Sequence, residues 1–233
     1  MSQSLLVEYP FLLLAITIVV YWVSLRIYQA SNNNVLLLPI VSGITLMIGI
    51  LLISDIQYEV YFDSVKIIHF LLGTATVALA VPLRNNIHLI REHAIPLTLS
   101  LVLMAIVTPT LAVLSAWFFG AEKGVLLSLA PKSISTPFAI SVAESIGGYP
   151  PLVAAIVIIT GIFVAMIASI VFKVCSIHDP ITKGFSMGLV GHGVGTAAAF
   201  EMGAKEGAFS ALAMGLMGLL TSIVLPYLVV WIF

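Results

Sequence analysis

Charge is what this sequence has least of. Its 233 residues include nine Lys or Arg and ten Asp or Glu, 8% of the chain, for a formal net charge of −1. A water-soluble domain carries about 25% charged residues, and so few charges cannot hydrate a globular surface. The same shortage excludes nucleic-acid binding, because no basic stripe is available to neutralise phosphates. Cysteine is scarcer still. The single Cys175 excludes a disulfide framework and a thiolate metal cluster. His69, His88, His93 and His178 stand singly near the ends of apolar runs and form no metal-ligand set. There is no HExxH, no nucleotide loop and no pair of intramembrane aspartates, so neither cofactor, metal nor enzymatic activity is expected.

What is abundant is apolar side chain, 61% of residues, with a mean hydropathy of +1.20. Apolar runs occupy residues 5–25, 35–53, 66–83, 95–119, 125–144, 150–174, 181–200 and 208–233. About 20 apolar residues span the roughly 30 Å of bilayer hydrocarbon as a helix. The runs show no strand-like alternation, which excludes a β-barrel. The first run has no basic segment before it and no small-residue cleavage site after it, and Arg26 follows it. It is therefore expected to be retained as a helix rather than cleaved. Residues 85–93, NNIHLIREH, form a short polar-faced segment suited to the interface.

Two runs are poorly built as spans. The fifth holds Pro131, Lys132, Ser133, Ser135, Thr136 and Pro137 at its centre, and an interior proline costs about 3 kcal/mol or more. The seventh holds Gly188, Gly191, His192, Gly193, Gly195 and Thr196. Irregular backbone survives at membrane depth only when buried in protein or lining a wet cavity. Close helix packing is an alternative reason for the glycines, since Gly184/Gly188 and Gly191/Gly195 fit small-xxx-small spacing.

An offset of 60 residues lays Pro131 on Gly191, Lys132 on His192, Ser133 on Gly193, Ser135 on Gly195 and Thr136 on Thr196. The expected fold is all-α and polytopic, one integral membrane domain over 1–233. It has about six transmembrane helices plus two broken or re-entrant hairpins, with 125–175 and 181–233 as candidate inverted repeats. The positive-inside rule prefers this arrangement. Eight crossings divide the outlying Lys and Arg evenly, whereas two re-entrant hairpins place Arg26, Arg84, Arg91, Lys173, Lys183 and Lys205 on one side against Lys66 and Lys123. Inverted repeats whose broken helices meet at the midplane are the build of secondary transporters.

Lys132 is the sharpest chemical feature. An ammonium at the centre of a span costs roughly 2.5–3.5 kcal/mol on insertion scales. With Ser133, Ser135 and Thr136 beside it, and the start of a half-helix at Pro137, it makes a pocket for a small carboxylate. A structural lysine paired to a buried acid or to carbonyls is the alternative. His192 titrates near physiological pH and suits a proton relay, or else a neutral ring bonded to a broken-helix carbonyl. Gly193, Gly195 and Thr196 offer a second half of the carboxylate cage. Glu144 and Glu201 are candidate coupling sites, or interfacial helix ends. Thr74 and Thr76 add hydroxyls in the third run, where threonines also bond their own backbone. Adjacent Lys132 and Ser133 do not face each other on a helix, which disfavours a hydrolytic dyad.

Three ordered blocks, LGTATVALAVPL over 72–83, PKSISTP over 131–137 and GHGVGTA over 191–197, resemble the LrgB family along essentially the whole chain. The resemblance implies a multi-pass protein of the inner (cytoplasmic) membrane, paired in many cases with a small holin-like LrgA or CidA protein. It implies either control of murein hydrolase activity and autolysis, or movement of small carboxylates such as pyruvate, lactate, glycolate or glycerate. A homo-oligomer is compatible with both. The family commonly has proline where this chain has Thr74 and arginine where it has Ala198, which puts the substrate in question and makes a partner role more credible.

Overall fold

The computed structural model describes residues 10–31, 37–68, 70–71 and 80–232. Every regular element among them is a helix. They are α1 (Pro10–Ala30), α2 (Pro39–Ser54), α3 (Tyr58–Ser64), α4 (Ala80–Asn85), α5 (Ile87–Glu92), α6 (Ala94–Phe118), α7 (Lys123–Leu129), α8 (Thr136–Ile146), α9 (Pro150–Val174), α10 (Pro180–Met202) and α11 (Ala204–Ile232). The chain forms two compact units, residues 1–80 and 81–233.

In the first unit α1 packs against α2 and α3. The fully buried Ser24 hydroxyl turns back onto the Val20 carbonyl at 2.8 Å, facing the space left open by Gly43. Helix α2 stops at Asp55, which adopts a left-handed conformation (φ 51°), and α3 leaves at 119° to it. Asp63 and Lys66 form a 2.7 Å ion pair on the surface of this unit.

Among the described residues four helices are long and apolar enough to cross a membrane: Phe11–Ala30, Ala94–Phe118, Pro150–Val174 and Ala204–Val229, with the bent α2–α3 pair a fifth. The expected count of about six differs from this at the second and third runs. Helix α2, at 16 residues, reaches only about 24 Å, and much of the third run, with Thr74 and Thr76, lies outside the described residues. Neither weak run is among the spans, as expected. The polar segment after the third run is the short helix α5.

Inside the second unit small residues sit among larger buried side chains such as Phe209, Met187 and Ile134. Ala139, Ala143, Ala199, Ala208, Ala213, Ser128 and Ser210 are buried, while Leu99, Trp117, Ile159, Phe163 and Ile170 are exposed. Small side chains let helices approach closely where lipid leaves no hydrophobic force between them, and the large ones meet the acyl chains.

Candidate functional site

The fifth run folds back on itself. Pro131 has no N–H for the preceding turn, and α7 ends at Leu129. Two turn-like bonds carry the chain round, Lys132 N–H to Leu129 O at 3.2 Å and Ile134 N–H to Pro131 O at 3.3 Å. Ser135 is extended, and α8 begins at Thr136, one residue before the expected start, with Pro137 in its first turn. Pro is well placed there, since first-turn N–H groups have no helical acceptor. The return is closed at the far end. Tyr149 N–H donates to Ser128 Oγ at 2.7 Å, and its hydroxyl donates to Glu122 Oε1 at 3.1 Å. The two ends of the run therefore lie together, and residues 131–135 form the tip of a helical hairpin.

The seventh run doubles back more sharply. Within α10, His192 has φ 41° and ψ −130°, outside helical geometry. A Cβ on Gly195 would stand 2.7 Å from the Met187 carbonyl oxygen, although residues eight apart in a straight helix are about 12 Å apart. Gly184 lies against the Glu206 backbone and Gly188 against that of Ser210, so residues 180–191 run parallel to α11. Thr196 meets Ser210 and Phe200 meets Gly207, so residues 193–202 run antiparallel to it. These close backbone approaches are what the glycines are for. The packing and broken-helix readings of the sequence both hold, at different glycines.

Helix α9 joins the two hairpins. It starts at Pro150, beside the base of the first, and ends at Val174, six residues before the second begins at Pro180. Its 25 residues span about 37 Å, so the base of the first hairpin and the start of the second lie at its two ends, and the second tip packs on it at Val157, Gly161 and Val164. Ala130 and Ile134 of the first tip share one buried cluster with Val157 of α9 and Leu189 of the second hairpin. Lys132 lies within electrostatic reach of His192. Lys132 belongs to the turn of the first hairpin and His192 to the kink of the second.

Each tip has its own chemistry. His192 is 3% exposed, and its Nε2 is 2.9 Å from the Val157 carbonyl. A carbonyl only accepts, so Nε2 carries the proton. Gly161 clears the way, because a Cβ there would meet the ring at 2.6 Å. The Thr196 hydroxyl donates to the His192 carbonyl at 2.7 Å, which leaves Ser210 to donate to Thr196 Oγ1 at 2.9 Å. Thr196 and Gly195 are thereby used inside the hairpin, Gly191 abuts Val164, and Gly193 is exposed.

At the first tip Pro131 is buried, Lys132, Ser135 and Thr136 are half-buried and Pro137 is exposed. Among the described residues Lys132 is in no ion pair. Ser135 stands at the α8 N-cap without bonding through its side chain, so it leaves first-turn N–H groups uncapped. Ser133 is 3% exposed, and its hydroxyl has no hydrogen-bond partner. An orphaned buried hydroxyl costs about 1–3 kcal/mol, and a ligand oxygen there would remove that cost.

Glu144 and Glu201 are exposed, each more than two helical turns from its tip. Sequence reasoning missed the Val157 carbonyl, Ser210, and the Tyr149 contacts with Ser128 and Glu122. Only Gly161, a lone glycine in an apolar helix, carried a signal of its role. No group of three or more His, Cys, Asp or Glu suited to a metal occurs among the described residues.

No solved structure matches this chain. Over 217 residues, 93% of this chain and 94% of the relative, it is 27% identical to the "Antiholin-like protein LrgB" of Bacillus mycoides. Proteins of the same name from Bacillus cereus and Bacillus anthracis match to the same extent. The LrgB-like family pattern matches residues 17–231, nearly the whole length, and the chain belongs to the LrgB family.

Proposed function

We propose that this protein is a secondary transporter of small monocarboxylates of the glycolate, glycerate, pyruvate or lactate kind, in the bacterial inner membrane. Residues 125–175 and 181–233 form its inverted repeat. The observation that carries this reading is the buried, unpartnered Ser133 hydroxyl beside Lys132 and the uncapped start of α8. Lys132 supplies the counter-charge, Ser133, Ser135 and Thr136 supply hydroxyl donors, and the helix start adds N–H groups and a positive dipole end. His192, with its Nδ1 side not engaged by Val157, is the candidate for a coupled proton. Counterflow of labelled substrate in proteoliposomes tests the site. Lys132→Ala should abolish exchange while the protein still folds, and full exchange by that variant would remove Lys132 from the mechanism.

The relatives' printed name favours a second reading over transport, namely an antiholin-like membrane subunit that works with an LrgA- or CidA-like partner to restrain murein hydrolase activity and autolysis. Its support is the match of 27% identity over 93% of the chain to proteins named antiholin-like. Copurification with such a partner, and an autolysis phenotype that survives Lys132→Ala, would favour regulation. A phenotype lost together with exchange would tie the two activities to one site.

A further inference from the structure

A cavity of about 350 Å³ opens at the end of α9 opposite the first hairpin's base, remote from both tips and independent of the transport reading. Lys173 on the last turn of α9, His178 in the following loop and Lys183 on the first turns of α10 line it. Glu206, at the start of α11, is the only acid among its lining residues. Asp179 lies close in sequence but does not line the cavity, and its carboxylate accepts from the Thr182 N–H at 2.8 Å and the Thr182 hydroxyl at 2.7 Å. Among the described residues neither Lys173 nor Lys183 is in an ion pair. The cleft therefore holds more positive charge than it balances.

Its other side is apolar. Phe172 and Met202 line the same cavity, and Ile170, Val171 and Val174 stand exposed on the neighbouring surface of α9. This is the last turn of a membrane-spanning helix, where hydrocarbon gives way to head groups. A soluble anion needs the lysines but has no use for Phe172, Met202 or an opening beside lipid-facing side chains. A phospholipid uses all of them, since basic pockets between helices take lipid head groups and lysine binds phosphate as a point charge. We infer that this cleft binds the phosphate head group of an anionic membrane lipid, with Lys173 and Lys183 on the phosphate and Phe172 and Met202 against the upper part of its chains.

Thermal unfolding of the purified full-length protein in uncharged detergent tests this, with phosphatidylglycerol, phosphatidylcholine or inorganic phosphate added at constant ionic strength. Phosphatidylglycerol should raise Tm by about 4 °C or more, and phosphatidylcholine should do little. Lys173→Gln with Lys183→Gln should erase the shift, each single variant should halve it, and Lys66→Gln, outside the cleft, should retain it. The single variants decide the matter if the double variant does not fold. Equal shifts from both lipids, or an undiminished shift in the glutamine variants, would overturn the site. A full, lysine-dependent shift with inorganic phosphate alone would overturn the lipid assignment in favour of a free anion.

Discussion

The imidazole of His192 donates from Nε2 to the main-chain carbonyl of Val157 at 2.9 Å, a bond between a hairpin tip and the first half of the helix that joins the two hairpins. Val157 lies inside a regular helix, so its carbonyl also serves the turn after it. The ring can approach because position 161, four residues on, is glycine. The bond anchors a residue whose backbone is held at a positive φ, a conformation that persists only where its surroundings hold it.

Replacing His192 with Ala should therefore loosen the second tip. A cost on the order of 1–3 kcal/mol is expected for losing this buried bond, measured as a fall in Tm of the purified protein. A His192→Gln variant, which keeps a donor but cannot titrate, should recover part of that stability. If His192 carries a coupled proton, His192→Gln exchange should also lose its dependence on an imposed pH gradient.

Gly161 offers a sharper steric test. A Cβ there would stand 2.6 Å from His192 Cε1 and 2.9 Å from Val194 Cβ, whereas one at Gly215 would meet nothing within 4 Å. Gly161→Ala should destabilise by about 1–3 kcal/mol through overpacking. Gly215→Ala should be neutral or gain up to about 1 kcal/mol, because alanine suits a helix better than glycine. Equal melting temperatures for the two variants would contradict the close approach of the tip to α9.

Ser133→Ala separates binding from stability. Its hydroxyl has no partner to lose, so truncation should leave Tm unchanged or slightly raised. Under the transport reading the same change should weaken carboxylate binding several-fold, read as a smaller ligand-induced rise in Tm. A large loss of stability without ligand would instead mean that the hydroxyl has a structural role.

Asp179 sets a pH dependence at the base of the second hairpin. The Thr182 hydroxyl above all, helped by the Thr182 and Ile181 N–H groups, holds its carboxyl below the usual carboxylate range, against burial, the second-largest effect, which pushes it up. An acid whose folded pKa is depressed contributes stability above its unfolded value, about 4. That contribution is lost as pH falls from there through the folded value. Melting curves between pH 5 and pH 3 should show the loss in the wild type and less of it in Asp179→Asn, which still caps α10. Asp179→Ala should cost about 0.5–2 kcal/mol at neutral pH as a lost N-cap.

Sidedness is testable by labelling in a Cys175→Ser background. Lys123→Cys and Ser145→Cys flank the first hairpin and should react from the same side of the membrane, with Lys183→Cys reacting from the other. Labelling of positions 123 and 145 from opposite sides would mean that the fifth run crosses the bilayer.

By itself the sequence determined the class of the protein and where its backbone breaks. Nineteen charges in 233 residues force a bilayer environment, and the clustering of Pro131 with Pro137, and of four glycines around His192, marks the two runs where helix is weakest, because a missing N–H or Cβ acts locally. Lys132 and His192 were legible for the same reason, as polar groups where apolar ones are required. Only the tertiary structure decided what the breaks do. Each became a reversal, held by Tyr149 on Glu122 and Ser128 in one hairpin and by glycines on the α11 backbone in the other. The Val157 carbonyl and Ser210 became partners of His192 and Thr196 in the same way. A carbonyl in an unbroken apolar helix and a serine one turn along another look like any others in the sequence. Their roles arise from which distant segment packs against them, and local pattern does not encode that choice.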